Sequence, residues 1–267
     1  LPFERVKSEG RTVANQLDQP REEFLILAVD TTSRRRSVAV AVADEVRTMV
    51  GVDAAATHSW QLHDEIDWVL RKLDRRLDQI SVFGVTTGPG SFTGVRVGLA
   101  TVKGLAHALD KPVVGVSTLE AQARSAGVSG LVCACIDALR GEVYAQLFRI
   151  DQDGSVQSLW EPRLAMPTHV YASLSDEPQV TFVGDGVLSS LDGLQRQATI
   201  AQREVIFSPL VHRAVQGWHV VPASPFLAPA VASLTNVRVQ QGHTQSASEV
   251  TALYVRASDA EVKRRNK

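Results

Sequence analysis

The sequence contains no run of about 18 apolar residues, so no helix in it is long and apolar enough to span a bilayer. It has only two cysteines, Cys133 and Cys135, which excludes a disulfide framework. They stand two apart in an apolar, strand-like stretch and share one face, so they predict buried thiols in a reducing compartment, a metal or redox role being the alternative. There is no surplus of charge: 28 Lys and Arg stand against 29 Asp and Glu, a net charge of −1. No global positive field draws the chain to nucleic acid, and RNA contact must be local or made through a partner. Residues 1–23 lack the apolar core of a secretory signal, so they are expected to be a flexible extension ahead of the first strand, in a cytoplasmic protein. No Gly-Lys-Ser/Thr closes a glycine loop and no His-Glu-x-x-His occurs, which removes the Walker A and zinc-peptidase readings.

What is present begins with 44% hydrophobic residues in 267, enough for a substantial core in one large domain or two small ones. The densest signal is Gly88-Pro-Gly-Ser-Phe-Thr-Gly-Val-Arg-Val-Gly98, set between the apolar run Ile80 to Thr87 and a helical stripe of Val95, Leu99, Val102, Ala106 and Leu109. Gly88, Gly90 and Gly94 permit positive φ and close approach of backbone, and the helix start behind them offers free N–H groups. Two uses stay open: cradling phosphate, or tight packing of strand against helix.

Three apolar runs, Phe24 to Val29, Ser37 to Ala43 and Val46 to Val52, predict consecutive strands. A helix from Trp60 to Leu77 follows, with Leu62, Ile66, Val69, Leu70, Leu73 and Leu77 on one stripe. After the glycine-loop helix, Thr93 to Leu109, come a strand at Pro112 to Val116 and a short helix with Ser117 and Glu120 as a capping box. A second round starts at Leu131, with strands at Leu131 to Asp137, Glu142 to Ile150 and Ser155 to Trp160, a helix near Thr168 to Leu174 and a strand near Val180 to Val183. The repeated order predicts an α/β protein of two ribonuclease-H-like halves, residues 24–126 and an abbreviated 127–222. Helices at Ala230 to Val239 and around Ser246 to Arg256, within 223–267, are expected to pack back on the first half.

Several separate motifs in order resemble the TsaB (YeaZ) family and its catalytic paralogue TsaD: Leu25-Ile-Leu-Ala-Val-Asp-Thr-Thr32, the glycine loop, Pro112-Val-Val-Gly-Val-Ser-Thr-Leu-Glu120, Arg140-Gly-Glu-Val-Tyr144, Val183-Gly-Asp-Gly186 and Tyr254-Val-Arg256. The resemblance implies the actin and sugar-kinase ATPase architecture and a place in tRNA threonylcarbamoyladenosine synthesis. It puts Asp30 where such ATPases carry an acid facing metal and phosphates, with Gly88 and Gly90 beside it; capping of the turn by Asp30 is the competing reading. TsaD-type enzymes carry two histidines four apart in the third motif, where this chain has Thr118 and Gln122, neither a strong ligand for a catalytic metal. The chain is therefore expected to be a non-catalytic subunit with no metal site, a nucleotide-hydrolysing or threonylcarbamoyl-transferring enzyme being the alternative.

The resemblance also implies pairing through the two helices of the first half, with Leu62, Ile66, Val95, Leu99 and Val102 as partner-binding candidates. The expected partners are a TsaD-type transferase, a TsaE-type ATPase and a second copy of the chain, with tRNA reached mainly through the complex. No cofactor is expected to bind tightly, ATP or ADP with Mg²⁺ entering only in the assembled complex. Of the remaining features, His58 and His63 lie five apart and do not align on a helical face. Arg34-Arg35-Arg36 reads as a hairpin tip, solvated or touching RNA phosphate, and Val183-Gly-Asp-Gly186 as a turn that could approach a nucleotide base.

Overall fold

The first apolar run forms β1 (Leu25–Asp30), buried along its whole length. It reads as continuous rather than alternating because both faces of its sheet are covered. The computed structural model describes residues 23–53, 59–207, 216–222 and 224–255. In the first half β1 is followed by β2 (Arg35–Val42), β3 (Glu45–Asp53), α1 (Ser59–Lys72), β4 (Ile80–Thr86), α2 (Phe92–Leu109), β5 (Val113–Val116) and α3 (Thr118–Ser125). The strands lie in the order β3-β2-β1-β4-β5, with β1 antiparallel to β2, β2 antiparallel to β3, and β4 and β5 joined in parallel.

The second half contains β6 (Gly130–Asp137), β7 (Val143–Ile150), β8 (Val156–Ser158), β9 (Arg163–Ala165), α4 (Pro167–Ala172), β10 (Gln179–Val183), α5 (Asp185–Leu188), α6 (Leu191–Ile200), β11 (Val205–Phe207) and β12 (Gly217–Val221), and α7 (Ala228–Gln240) follows. Its sheet runs β11-β12-β10-β6-β7-β8, with β9 also on β7. This repeats the first half, with the third strand divided into β8 and β9 and an extra edge strand in β11, so the fold is a duplicated ribonuclease-H-like α/β architecture. The shortening of the second half lies in its helices: α4 has 6 residues where α1 has 14, and α5 and α6 have 4 and 10 where α2 has 18.

Side-chain alternation along each strand feeds separate cores. Leu25, Leu27 and Val29 of β1 pack with Leu62, Ile66 and Val69 of α1 and Val95, Leu99 and Val102 of α2. Ile26 and Ala28 point the other way, towards Ala228, Val231 and Leu234 of α7. On the second sheet Val132 and Ala134 meet Leu119 and Ala123 of α3, while Cys133 and Cys135 face Val170, Tyr171 and Leu194 of the outer helices. Thus α3 and α7 lie between the two sheets. They are pinned by Arg238, whose Nη2 reaches Glu120 Oε2 at 2.6 Å and whose Nη1 donates to Gly115 O at 2.7 Å.

Several local expectations are corrected. The predicted helix to Leu77 stops at Lys72, and only a short 3₁₀ turn, Leu77–Gln79, precedes β4. Ser117 starts α3 without a side-chain cap, and its hydroxyl is buried without a partner. Glu120 does not complete a capping box because it is drawn to Arg238 instead. Residues 246–255 form no helix. Together with Gln245, which bridges Val113, they form a strap in which Leu253 N donates to Thr87 O at 2.8 Å and Val250 enters the first core. Residues 1–22 of the expected extension and the motif residue Arg256 lie outside the described residues. Among the described residues no helix is long and apolar enough to cross a membrane.

Candidate functional site in the cleft between the sheets

The ends of β1 and β10, the start of α3 and the segment before α7 meet at a cleft of about 310 Å³, lined by Asp30, Thr32, Arg34, Thr118, Gln122 and Asp185 among others. Asp30 is 1% exposed. Its Oδ1 accepts from Thr32 N at 3.1 Å, Thr32 Oγ1 at 2.7 Å and Thr86 Oγ1 at 2.9 Å. One carboxylate oxygen therefore ties the turn after β1, as the capping reading expects, while the residue still borders the cleft. Burial raises the Asp30 pKa above the ordinary carboxylate value, and the hydrogen bonds from Thr32 and Thr86 only partly oppose it.

The glycine loop serves packing. A Cβ on Gly94 would lie 1.9 Å from Thr31 O, and one on Gly90 would lie 2.5 Å from Thr32 O. Ser91 N donates to Thr32 O at 2.7 Å, Thr31 Oγ1 donates to Gly94 O at 2.7 Å, and Ser91 Oγ caps Gly94 N at 3.2 Å. The cradle that could take a phosphate is thus filled by the Thr31–Thr32 turn. Gly88 faces the C-terminal strap, where a Cβ would meet Leu253 O at 2.9 Å. The assignment of Gly88 and Gly90 to nucleotide contact is corrected on these grounds: their open sides meet protein backbone, and only Pro89 of this loop lines the cleft.

On the opposite wall Thr118 and Gln122, one turn apart on α3, are 3% and 7% exposed. Thr118 Oγ1 and Gln122 Nε2 have no hydrogen-bond partner. A hydroxyl and a carboxamide do not fit a catalytic divalent metal as a pair of imidazoles would. Among the described residues no group of three or more His, Cys, Asp or Glu is placed to hold a metal ion. Asp185 stands at the start of α5, where its Oδ1 accepts from Asp137 N at 3.0 Å, joining the Gly-Asp-Gly turn to the end of β6. Ser224, Pro225 and Leu227 complete the cleft from the segment before α7. Its prolines were readable as a break in the chain, but nothing local placed it here.

The five partner-binding candidates are corrected by burial: Leu62, Ile66, Val95, Leu99 and Val102 are 1%, 4%, 3%, 7% and 0% exposed and belong to the first core. Their stripe is spent on the sheet. The sides of these helices that face outward carry His63, Asp64 and Trp68 on α1 and Phe92, Arg96, Ala100 and Gly104 on α2, with Trp68 45% and Phe92 41% exposed. Arg96 lies over the Phe92 ring at 3.7 Å and donates from Nε to Tyr254 OH at 3.2 Å.

The arginine triplet divides. Arg34 and Arg35 share Asp53 at 2.8 and 3.2 Å, whereas Arg36 is buried against Glu65 at 2.7 Å and Gln61 at 2.6 Å. Alternation along β2 turns Arg36 inward, so it is no part of a solvated tip. His63 is exposed, and His58 lies outside the described residues. The Cys133 and Cys135 sulfurs are 3.8 Å apart and fully buried; the Cys133 neighbour and burial raise the Cys135 thiol well above its usual range, which keeps it protonated.

A model of the family described as TsaD, tRNA N6-adenosine threonylcarbamoyltransferase, matches residues 41–261. The tRNA threonylcarbamoyladenosine biosynthesis protein TsaB of Haemophilus influenzae is 37% identical over 126 residues, 46% of this chain and 53% of that protein. The TsaB of Escherichia coli is 34% identical over 132 residues, 48% and 57% of the two chains. The chain thus spans about half the length of the curated relatives it matches. The solved structure of YeaZ from Pseudomonas aeruginosa superposes with a TM-score of 0.71 at 24% identity, covering 86% of this chain and 99% of that one, a likeness of fold. With a family model matched over most of its length, the chain belongs to the TsaD family and is similar to its TsaB members.

Proposed function

We propose that this chain is a non-catalytic subunit in tRNA threonylcarbamoyladenosine biosynthesis, which binds a TsaD-type transferase through the outward sides of α1 and α2 and supports its activity. The observation that carries this reading is the pair Thr118 and Gln122 in the cleft, where the catalytic paralogue has two imidazoles and this chain offers no strong metal ligand. The outward residues of α2 are small at Ala100 and Gly104, which favours close approach of another helix, and Phe92 and Trp68 supply exposed aromatic surface at the ends of the two helices. In this reading tRNA is contacted mainly through the complex, and ATP or ADP with Mg²⁺ belongs to the assembly rather than to this subunit's filled glycine cradle. A TsaE-type ATPase is a further subunit, a second copy of the chain competes for the same helical face, and the complex works in the cytoplasm.

Co-expression with a TsaD homologue, followed by a reconstituted tRNA modification assay, tests this. The pair is expected to co-elute, the transferase to need this chain, and this chain alone to modify no tRNA. Ala100→Arg is expected to abolish co-elution without unfolding the chain. Threonylcarbamoyl-tRNA formed by this chain alone, or unimpaired co-elution of Ala100→Arg, overturns the assignment.

A further inference from the structure

The inner wall of the cleft carries a cluster of unmet polar atoms. Ser117 Oγ, Thr118 Oγ1 and Gln122 Nε2 are all buried without a hydrogen-bond partner, and Thr118 and Gln122 line the cleft itself. A buried hydroxyl or amide with no partner lowers stability, whereas valine and leucine would fill nearly the same space without that cost. Across the cleft, all three hydrogen bonds that reach the Asp30 carboxylate fall on Oδ1, and Oδ2 takes none. The wall at α3 therefore lacks acceptors, and the wall at β1 lacks a donor.

The charges around the cleft narrow the ligand. Asp30 and Asp185 supply negative charge, Arg34 and Arg35 positive charge, and no lysine lines it. The glycine cradle nearby is closed by the Thr31–Thr32 turn. A polyphosphate would meet two carboxylates and no free anion cradle, and a simple cation would leave Thr118 and Gln122 unsatisfied. A small molecule with one positive and one negative end complements both walls. The volume of about 310 Å³ accommodates such a molecule with its water.

We propose that the cleft binds a small zwitterion of the α-amino-acid class, its ammonium donating to Asp30 Oδ2 and its carboxylate accepting from Thr118 Oγ1 and Gln122 Nε2. Neither α3 atom is open to water as it stands, so rotation of both side chains onto the ligand is part of binding. The site is independent of docking to a transferase, since it lies on the inner wall rather than on the outward sides of α1 and α2.

Isothermal titration of the full chain tests this with glycine, L-alanine, L-serine and L-glutamine, with acetate, methylamine and MgATP as comparisons. At least one amino acid is expected to saturate the protein, with acetate and methylamine each weaker by about tenfold or more, as expected when one end of the ligand is removed. Thr118→Val and Gln122→Leu are expected to weaken that amino acid by about tenfold or more while raising the thermal midpoint, and Thr118→Ser to retain binding. The proposal is overturned if no amino acid gives a saturable signal up to about 10 mM, a free energy of under 3 kcal/mol by the usual conversion. It is equally overturned if binding survives both substitutions, if both lower the thermal midpoint, or if MgATP binds more tightly than every amino acid.

Discussion

Two alanine substitutions in the same helix should change stability in opposite directions. At Gly94 an added Cβ falls 1.9 Å from Thr31 O, a backbone atom that cannot rotate away. Either the Thr31–Thr32 turn or the first turn of α2 must shift, and the 2.7 Å bond from Thr31 Oγ1 to Gly94 O is strained with it. Overpacking of this kind costs about 1–3 kcal/mol and the weakened hydrogen bond about 1 kcal/mol. Alanine's better helix propensity returns up to about 1 kcal/mol, leaving Gly94→Ala destabilised by about 1–3 kcal/mol. At Gly104 nothing lies within 4 Å of the built Cβ, so Gly104→Ala should stabilise by up to about 1 kcal/mol. Gly98→Ala is an internal control, because its clash at 2.3 Å is with a side-chain atom, Thr31 Oγ1. Thr31→Ala should therefore rescue Gly98→Ala and not Gly94→Ala. Urea unfolding followed by far-ultraviolet circular dichroism gives each midpoint. If Gly94→Ala matches Gly104→Ala, or Thr31→Ala rescues both positions equally, the glycine loop is not held by the Thr31–Thr32 turn.

Three further outcomes follow from the buried and half-buried charges. Arg36→Met leaves Glu65 unpaired and should destabilise by about 3–5 kcal/mol, whereas Arg36→Met combined with Glu65→Leu should recover most of the loss; equal urea midpoints for the single and double variants would contradict the pairing. Asp30 has its pKa raised by burial, so its contribution is fully present below the ordinary carboxylate value of 3.8 and is lost as pH rises through the higher folded value. Wild-type stability, measured against Asp30→Asn across that window, should fall with rising pH and level off above it; a difference that stays flat or grows with pH would refute the shift. Arg238→Met should loosen the contact between α3 and α7, seen as faster amide exchange in α3, while amides of β10 keep their protection; unchanged exchange in α3 would show that the Glu120 pair does not hold the two helices together.

Much of the architecture was legible locally. Strands buried on both faces need continuous apolar sequence, so β1, β4 and β6 announced themselves, and the repeated order of elements identified the duplicated halves. Thr118 and Gln122 could be read as standing in place of a pair of histidine metal ligands only through the resemblance to TsaD-type enzymes. Elements of the second half were harder to read. β12 holds a tryptophan and a histidine in a five-residue run with no alternation, and α5 is a single turn whose glycine packs against β6.

The sequence by itself determined which residues had to be hidden from water and where the chain could turn, since these follow from side-chain polarity and backbone freedom. Only the tertiary structure decided what hides them. The stripe Leu62, Ile66, Val95, Leu99 and Val102 was plainly apolar, yet a sheet and a partner protein satisfy the same requirement, and here the sheet takes it. The glycines of the loop were plainly made for close approach, but the approaching chain is the Thr31–Thr32 turn, more than fifty residues earlier. Glu120 had a local capping role open to it and took an arginine 118 residues away instead, because a charged partner between two packed helices outweighs a single backbone N–H.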